Sequence, residues 1–172
     1  MMGELESASG VLVRRARIDE AIAIASILRQ AFIEFELLYT PSAFAATIPT
    51  SDQIQARWDE GPVWVAVQSD NLVGTVAAVS KIAGLYIRSM AVLPNSRGQG
   101  IALQLLRQIE SFAISTHHQH LFLSTTPFLR SAIYLYERFG FQRNDEGPHD
   151  LFGTPLFTMA KHLETPGGVS KD

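Results

Sequence analysis

The chain has 172 residues and no cysteine. Disulfide frameworks, thiol catalysis, a covalent thioester on the protein and cysteine-ligated zinc are therefore excluded. Charge is also sparse. Charged residues make up 18%, with 14 Lys+Arg against 17 Asp+Glu and a formal net charge of −3. Nucleic-acid binders ordinarily carry a basic stripe, so this balance argues against DNA or RNA as a partner. No apolar run approaches the roughly 18 residues that a membrane-spanning helix needs. The start, Met1-Met-Gly-Glu-Leu-Glu-Ser7, lacks the basic-then-apolar order of a secretory signal. Gly3 and Ser7 formally fit a myristoylation pattern read from Met2, but acidic neighbours and the missing basic patch count against it. The expectation is a cytoplasmic protein with no membrane partner. His117, His118 and His120 cluster before a predicted strand, without a His-Glu-x-x-His pattern or a carboxylate at ligand spacing. They are expected in a solvated loop, with no metal.

What is present is apolar content, 47% of the chain, enough for one core. Residues 1–10 are small and polar and are expected to be disordered. Residues 11–162 carry the periodic segments of one domain, and residues 163–172 form a Gly/Pro/Ser tail. Residues 11–17 read as an edge strand, given their arginines. Asp19 is positioned to cap a helix with the stripe Ile22, Ile24, Ile27, Leu28, Ala31 and Phe32. Pro41 and Pro49 break the next stretch, and Ser51 or Asp52 can cap a short helix. Strands follow over 63–67 and 72–79, joined by Ser69-Asp70-Asn71, and over 85–92. A helix from about Gln99 carries Ile101, Leu105, Ile109 and Phe112 on one face. A strand at 121–125, a helix at 128–139 closed by Gly140, an extended segment from Phe141 and a strand at 155–160 complete the chain. The predicted order β-α-α-β-β-β-α-β-α-β-β implies an α/β fold, a mixed sheet of six to seven strands flanked by four helices.

Residues 87–106 hold the most informative stretch: a strand, the turn Arg97-Gly98-Gln99-Gly100-Ile101-Ala102, then an amphipathic helix. Unpaired backbone N–H groups and the positive end of the helix dipole converge where such a helix starts, which makes an anion site. Small residues at Gly98, Gly100 and Ala102 let a phosphate oxygen approach the main chain. Arg97 is expected to add a fixed positive charge. No Lys follows as in a Walker loop, and a dinucleotide fingerprint would need a third glycine after the first strand.

Arg-x-x-Gly-x-Ala at 97–102, preceded by Met-Ala-Val-Leu-Pro at 90–94, resembles the acyl-coenzyme A signature of GNAT-type N-acetyltransferases. The segment Ala132-Ile-Tyr-Leu-Tyr-Glu-Arg-Phe-Gly-Phe141 is similar to that family's later Ala-x-x-Leu-Tyr-Glu-x-x-Gly-Phe motif. The resemblance implies a splayed sheet and acetyl-CoA as cosubstrate. It implies that the backbone of Met90, Ala91 and Val92 pairs with the pantetheine arm. Backbone N–H groups of Arg97, Gly98, Gln99, Gly100, Ile101 and Ala102 would hold the pyrophosphate. Tyr136 would be the general acid for the leaving thiolate. Where many relatives carry a cofactor-contacting asparagine this chain has Leu129, so that contact is absent or supplied by Ser131 or a threonine of Ser124-Thr-Thr126.

Read from its own chemistry, Tyr136 has an unperturbed pKa near 10, comparable to an alkyl thiol, and can protonate a thiolate without a large shift. The same position suits a helix-surface tyrosine whose ring packs and whose hydroxyl meets water. Tyr134 is assigned to packing. The general base stays open among Glu34, Glu36, Asp59, Glu60, His149, Asp150 and a water chain. Tyr86 and Arg88 alternate with Ile87 toward the acceptor cleft, where Arg88 would favour an anionic feature. Residues 149–155 are expected to form a loop before the last strand, where the resemblance implies the acceptor wall. The expected activity is acetyl transfer to a primary amine, on a small molecule or peptide, by direct attack in a ternary complex. A noncatalytic acyl-CoA sensor is the alternative, and a toxin acting on aminoacyl-tRNA is disfavoured by the acidic balance. A homodimer is expected from the apolar Phe32, Phe35, Leu37, Leu38, Tyr39, Phe44, Phe152, Leu156 and Phe157.

Overall fold

The computed structural model describes residues 5–6 and 10–164. The first half runs β1 (Leu5–Glu6), β2 (Val11–Arg15), α1 (Ala21–Phe32), α2 (Pro41–Thr47), α3 (Ser51–Ala56), β3 (Val63–Gln68), β4 (Asn71–Lys81) and β5 (Gly84–Val92). Then follow α4 (Ile101–Ser115), β6 (His120–Thr125), α5 (Arg130–Phe139), β7 (Gln142–Asn144), β8 (Asp150–Leu151), β9 (Thr154–Pro155) and β10 (Phe157–His162). Eight strands form one sheet in the order β1-β2-β3-β4-β5-β6-β10-β7, and β8-β9 form a separate hairpin. The mixed α/β sheet matches the sequence expectation, with the two-residue β1 as an added edge.

Helices cover both faces of the sheet, and apolar periodicity decides which residues they bury. On one face α4 inserts Ile101, Leu105, Leu106, Ile109 and Ala113 against Val13, Trp64, Val76, Ile87 and Leu121. Each fully buried Leu or Ile there contributes about 1.5–3 kcal/mol. On the other face α1 inserts Ile24, Ile27, Leu28 and Ala31, joined by Ile54 of α3, against Val65 and Ala91. Ile22 of the expected stripe is 72% exposed, because it falls off the i, i+3, i+4 line that its neighbours share. A third cluster of Tyr39, Ala43 and Phe44 packs with Phe35 and Phe128.

Four local expectations change. Pro41, read as a breaker, opens α2: Thr40 caps it by accepting from the Ala43 N–H, and proline suits the first helical position because its missing donor is not needed there. This raises the helix count to five. The α3 cap is Thr50, which exchanges hydrogen bonds with Gln53 in a capping box, one position before Ser51. Before α1 the chain makes a 3-10 turn, Ile18–Glu20. There the Glu20 carboxylate, not Asp19, accepts the Arg17 N–H at 2.8 Å. Lastly, β2 is not the edge, because Leu5 and Glu6 pair with Val13 and Leu12, within the segment expected to be disordered. Its arginines are used in packing. Arg14 forks onto Glu20 with two bonds of 2.8 Å, and Arg15 lies over the Trp64 ring, 5.1 Å from its centroid. The rest of residues 1–9, and the tail beyond residue 164, lie outside the described residues.

Two irregularities prepare a site at the middle of the sheet. β5 and β6 are parallel and pair only at Leu85↔Leu121 and Tyr86↔Phe122. Beyond Tyr86 the two strands part, so the rest of β5 has a neighbour on its β4 side only. In β5 itself the register against β4 slips between Ala91↔Thr75 and Arg88↔Ala77, an added residue on one strand. Ser89 takes up the slip at φ +55.

Candidate active site

β5 divides its side chains between the two faces. Ile87, Met90 and Val92 pack on the α4 side, and Ala91 packs on the α1 side. With β6 gone, the outward backbone groups of Met90, Ala91 and Val92 border the gap between the strands. Such an edge is a template for an extended amide-bearing ligand, which can complete the ladder that the missing strand left open.

At the end of β5 the chain makes a 3-10 turn, Pro94–Ser96, and passes through Arg97 to Gly100. Gly98 and Gly100 sit at φ +80 and +77, and a Cβ built on either would meet nothing within 4 Å. Nothing internal fills the space above the turn, and the backbone conformation there favours glycine. The first α4 amide bonded in the helix belongs to Gln104, which donates to the Gly100 carbonyl. The N–H groups ahead of it converge at the helix start. Arg97 departs from expectation. Its Nη1 pairs with Glu34 Oε1 at 2.6 Å, its Nη2 donates to the Ala31 carbonyl at 3.1 Å, and its N–H donates to the Pro94 carbonyl at 3.4 Å. Its charge is neutralised and ties the turn to the end of α1, so the free donors begin at Gly98. The Gln99 side chain accepts from Gln68 Nε2 at 2.8 Å.

Tyr136 is 8% exposed, inside the core that α4 covers, with its ring 5.8 Å from that of Phe141. No hydrogen bond reaches its hydroxyl among the described residues. Burial holds its proton above the ordinary tyrosine range, and the nearby Tyr39 phenol adds to this. The surface reading of Tyr136 is therefore set aside. Tyr134 takes that place: it is 60% exposed and accepts from Arg138 Nη1 at 2.9 Å. Helical geometry explains the exchange, since residues two apart point to opposite sides. Tyr39 is buried as well, and burial raises its phenol while the Thr126 and Thr47 hydroxyls oppose the shift.

Thr125 ends β6 and Thr126 follows it, both buried, and their Oγ1 atoms have no well-formed hydrogen bond. Orphaned hydroxyls are costly to bury, and these stand where β6 has left β5. Leu129 lies just before α5 and makes no side-chain cap, while Ser131 is exposed. Of the polar substitutes for the asparagine, Thr125 has the unused group, while the Thr126 hydroxyl faces the Tyr39 phenol.

On the α1 side of β5 lies a cleft lined by Leu28, Ile54, Arg57, Val63, Arg88 and Ser89, among others. Arg88 reaches it as expected. Tyr86 does not, and packs its ring tilted against Phe122, 5.1 Å between centroids. Of the candidate bases, Glu34 is engaged by Arg97, Glu60 by Arg88, and Asp150 accepts the Gly153 N–H at 3.0 Å. The expected loop at 149–155 is the β8-β9 hairpin, held to Thr40 by Thr40 N–H→Thr154 Oγ1 at 2.9 Å and Thr40 Oγ1→Phe152 carbonyl at 2.7 Å. Arg57 and Ser89 were not singled out in the sequence. Arg57 comes from a different element, and nothing local marks Ser89 as a residue with positive φ. Of the histidines, His118 bonds Ser80 and Thr116 and His120 bonds His162. No metal-holding group of residues occurs among the described residues.

Comparison with known proteins gives the class to which this fold belongs. The family profile described as "Acetyltransferase (GNAT) family" matches residues 24–141. The chain is 27% identical over 141 residues to the uncharacterized N-acetyltransferase YjgM of Escherichia coli (strain K12), covering 78% of this chain and 83% of that protein. It is 40% identical over 102 residues to N-acetylaspartate synthetase of Xenopus tropicalis, 58% of this chain but 38% of that protein. Among solved structures, the PaiA N-acetyltransferase of Thermoplasma acidophilum in complex with coenzyme A superposes with a TM-score of 0.76. Identity there is 13%, over 89% of this chain and 99% of that one. The chain belongs to the acetyltransferase (GNAT) family and is an N-acetyltransferase.

Proposed function

We propose that the protein transfers an acetyl group from acetyl-CoA to a primary amine by direct attack in a ternary complex. The observation that carries this reading is the β5 edge left open where β6 departs, running into a turn of free amides at the start of α4. Met90, Ala91 and Val92 would pair with the amide-bearing arm of the cosubstrate. The N–H groups from Gly98 through Gln99, Gly100, Ile101 and Ala102 would take its pyrophosphate. The Thr125 hydroxyl would supply the polar contact that Leu129 cannot. Acetyl-CoA brings the activated acetyl group as a thioester. The chain's own part is to hold, orient and move protons. Relatives whose name specifies N-acetylaspartate support nitrogen as the acetylated atom.

Tyr136 would donate the proton that the departing thiolate needs. Its raised pKa makes it a weaker acid than tyrosine in water. The driving force must come from an anion formed within hydrogen-bond reach in the same low-dielectric surroundings. With no cysteine available, a ternary complex is the simplest order. A homodimer accompanies this reading as the commonest assembly. Of the side chains that motivated it, Tyr39, Phe44 and Phe157 close the core, and Leu37, Leu38 and Phe152 are the exposed ones.

Tyr136→Phe tests the reading. In a thiol-release assay over an amine panel, kcat should fall by about 10²–10⁴-fold, while calorimetry shows acetyl-CoA binding little changed. A wild-type rate would return Tyr136 to core packing. Binding of acetyl-CoA with no transfer to any amine would favour the sensor alternative.

A further inference from the structure

We infer that the cleft between α3 and the bulge of β5 is a carboxylate-binding subsite, and that the acceptor amine is a free amino acid held by Arg57 and Arg88. This rests on the transferase reading above and deepens it. Both guanidinium groups reach one small cleft, whose other walls include Leu28, Ile54 and Val63. Arg88 pairs through Nη2 with Glu60 Oε2. Arg57 Nη2 lies 3.4 Å from Ser89 Oγ, its one hydrogen-bond partner there. Glu60 thus pairs with Arg88 alone, and the Arg57 charge has no ion pair among the described residues.

Arg88 Nε is buried and has no hydrogen-bond partner. A guanidinium in apolar surroundings with an unused donor is matched by a planar anion that can accept two parallel N–H bonds. At Arg57, burial lowers the pKa first, Arg88's charge lowers it further, and Glu60 opposes both. An added carboxylate would relieve that repulsion. A phosphate would also be attracted, but Glu60 already pairs with Arg88 and the charge surplus is one, which suits a monoanion.

Position limits the acceptor further. Arg57 touches Ser89, the bulge residue of β5, and the open edge bordered by Met90 begins one residue later. A carboxylate gripped here leaves its amine only a few bonds away from that edge. A free amino acid has this spacing, whereas a lysine side chain in a peptide does not.

The test compares matched acceptors with the wild-type protein: amino acids, the corresponding amino-acid amides, and the corresponding decarboxylated amines. Thiol release at saturating acetyl-CoA gives kcat and KM for each. The carboxylates should be preferred in kcat/KM by about 10-fold or more, mainly through KM, as loss of a charge-assisted hydrogen bond implies. Arg88→Gln and Arg57→Gln should each collapse that ratio toward one, and Arg88→Lys should restore part of it. Thermal melting establishes that the variants fold; should they not, the wild-type series decides alone. Equal use of amides and decarboxylated amines, or a preference that survives both Gln variants, overturns the subsite and leaves the transferase reading standing. Absence of transfer to any amine, with acetyl-CoA bound, removes that reading and this inference with it.

Discussion

Gly100 offers a perturbation in which stability and affinity are expected to move separately. The residue sits at φ +77 and ψ 15 as the N-cap of α4, and a Cβ there would meet nothing within 4 Å. Gly100→Ala therefore adds no clash, only the left-handed backbone strain of a non-glycine residue, about 1–2 kcal/mol. In a chain of this size each kcal/mol lowers Tm by roughly 2–4 °C. The methyl group would occupy the space a phosphate oxygen needs to reach the α4 amides. Losing one or two charge-assisted hydrogen bonds, at about 1.5–3 kcal/mol each, weakens binding by about 10-fold to about 10⁴-fold. Gly100→Glu sharpens the contrast. A carboxylate at a helix N-terminus is favourable by about 0.3–1 kcal/mol, so this variant should melt no lower than Gly100→Ala. Its negative charge should nonetheless weaken acetyl-CoA binding further. Thermal melting gives the first ordering, and calorimetry with acetyl-CoA gives the second. Unchanged affinity in a folded Gly100→Glu variant would refute the placement of the pyrophosphate. Affinity that simply tracks Tm would refute the argument from open space.

Glu20 carries a pH dependence with a defined sign. Its carboxylate is buried, and the Arg14 hydrogen bonds hold its pKa at about 2, against the cost of burial. A depressed carboxylate contributes stability that is fully present above its unfolded value of about 4.5, worth about 3 kcal/mol, and loses it as pH falls through about 2. Glu20→Gln should lower stability at neutral pH by a comparable amount and flatten the acid limb of a denaturation profile; an unaltered acid limb would remove Glu20 from that role. Light scattering at micromolar concentration tests the homodimer, and a mass near 19.0 kDa, the single-chain value, would reject it.

The parts legible in advance were those with a local cause. The period of apolar residues assigned α4 to one face, and the glycines at 98 and 100 marked a turn that φ values of +80 and +77 now explain. Errors fell where one residue type has two local meanings. Pro41 breaks a helix in its interior but begins one at its first position. Tyr134, assigned to packing, is exposed, and Tyr136, left between a thiolate acid and a helix-surface residue, is buried, because the sequence does not show which face α5 turns inward.

The sequence by itself determined the family, the main helices and strands, the glycine turn at 97–100 and the absence of thiol chemistry, since each depends on residue identity or on spacing within one element. Tertiary structure alone decided what fills and what lines the site. Arg97 is drawn to Glu34 and the Ala31 carbonyl. Ser89 is forced to positive φ by a register slip against β4. Arg57 is brought to Arg88 across 31 residues of chain. These are contacts between segments distant in sequence. Their geometry depends on how the sheet splays and how the helices pack on it, and no local pattern of residues encodes that.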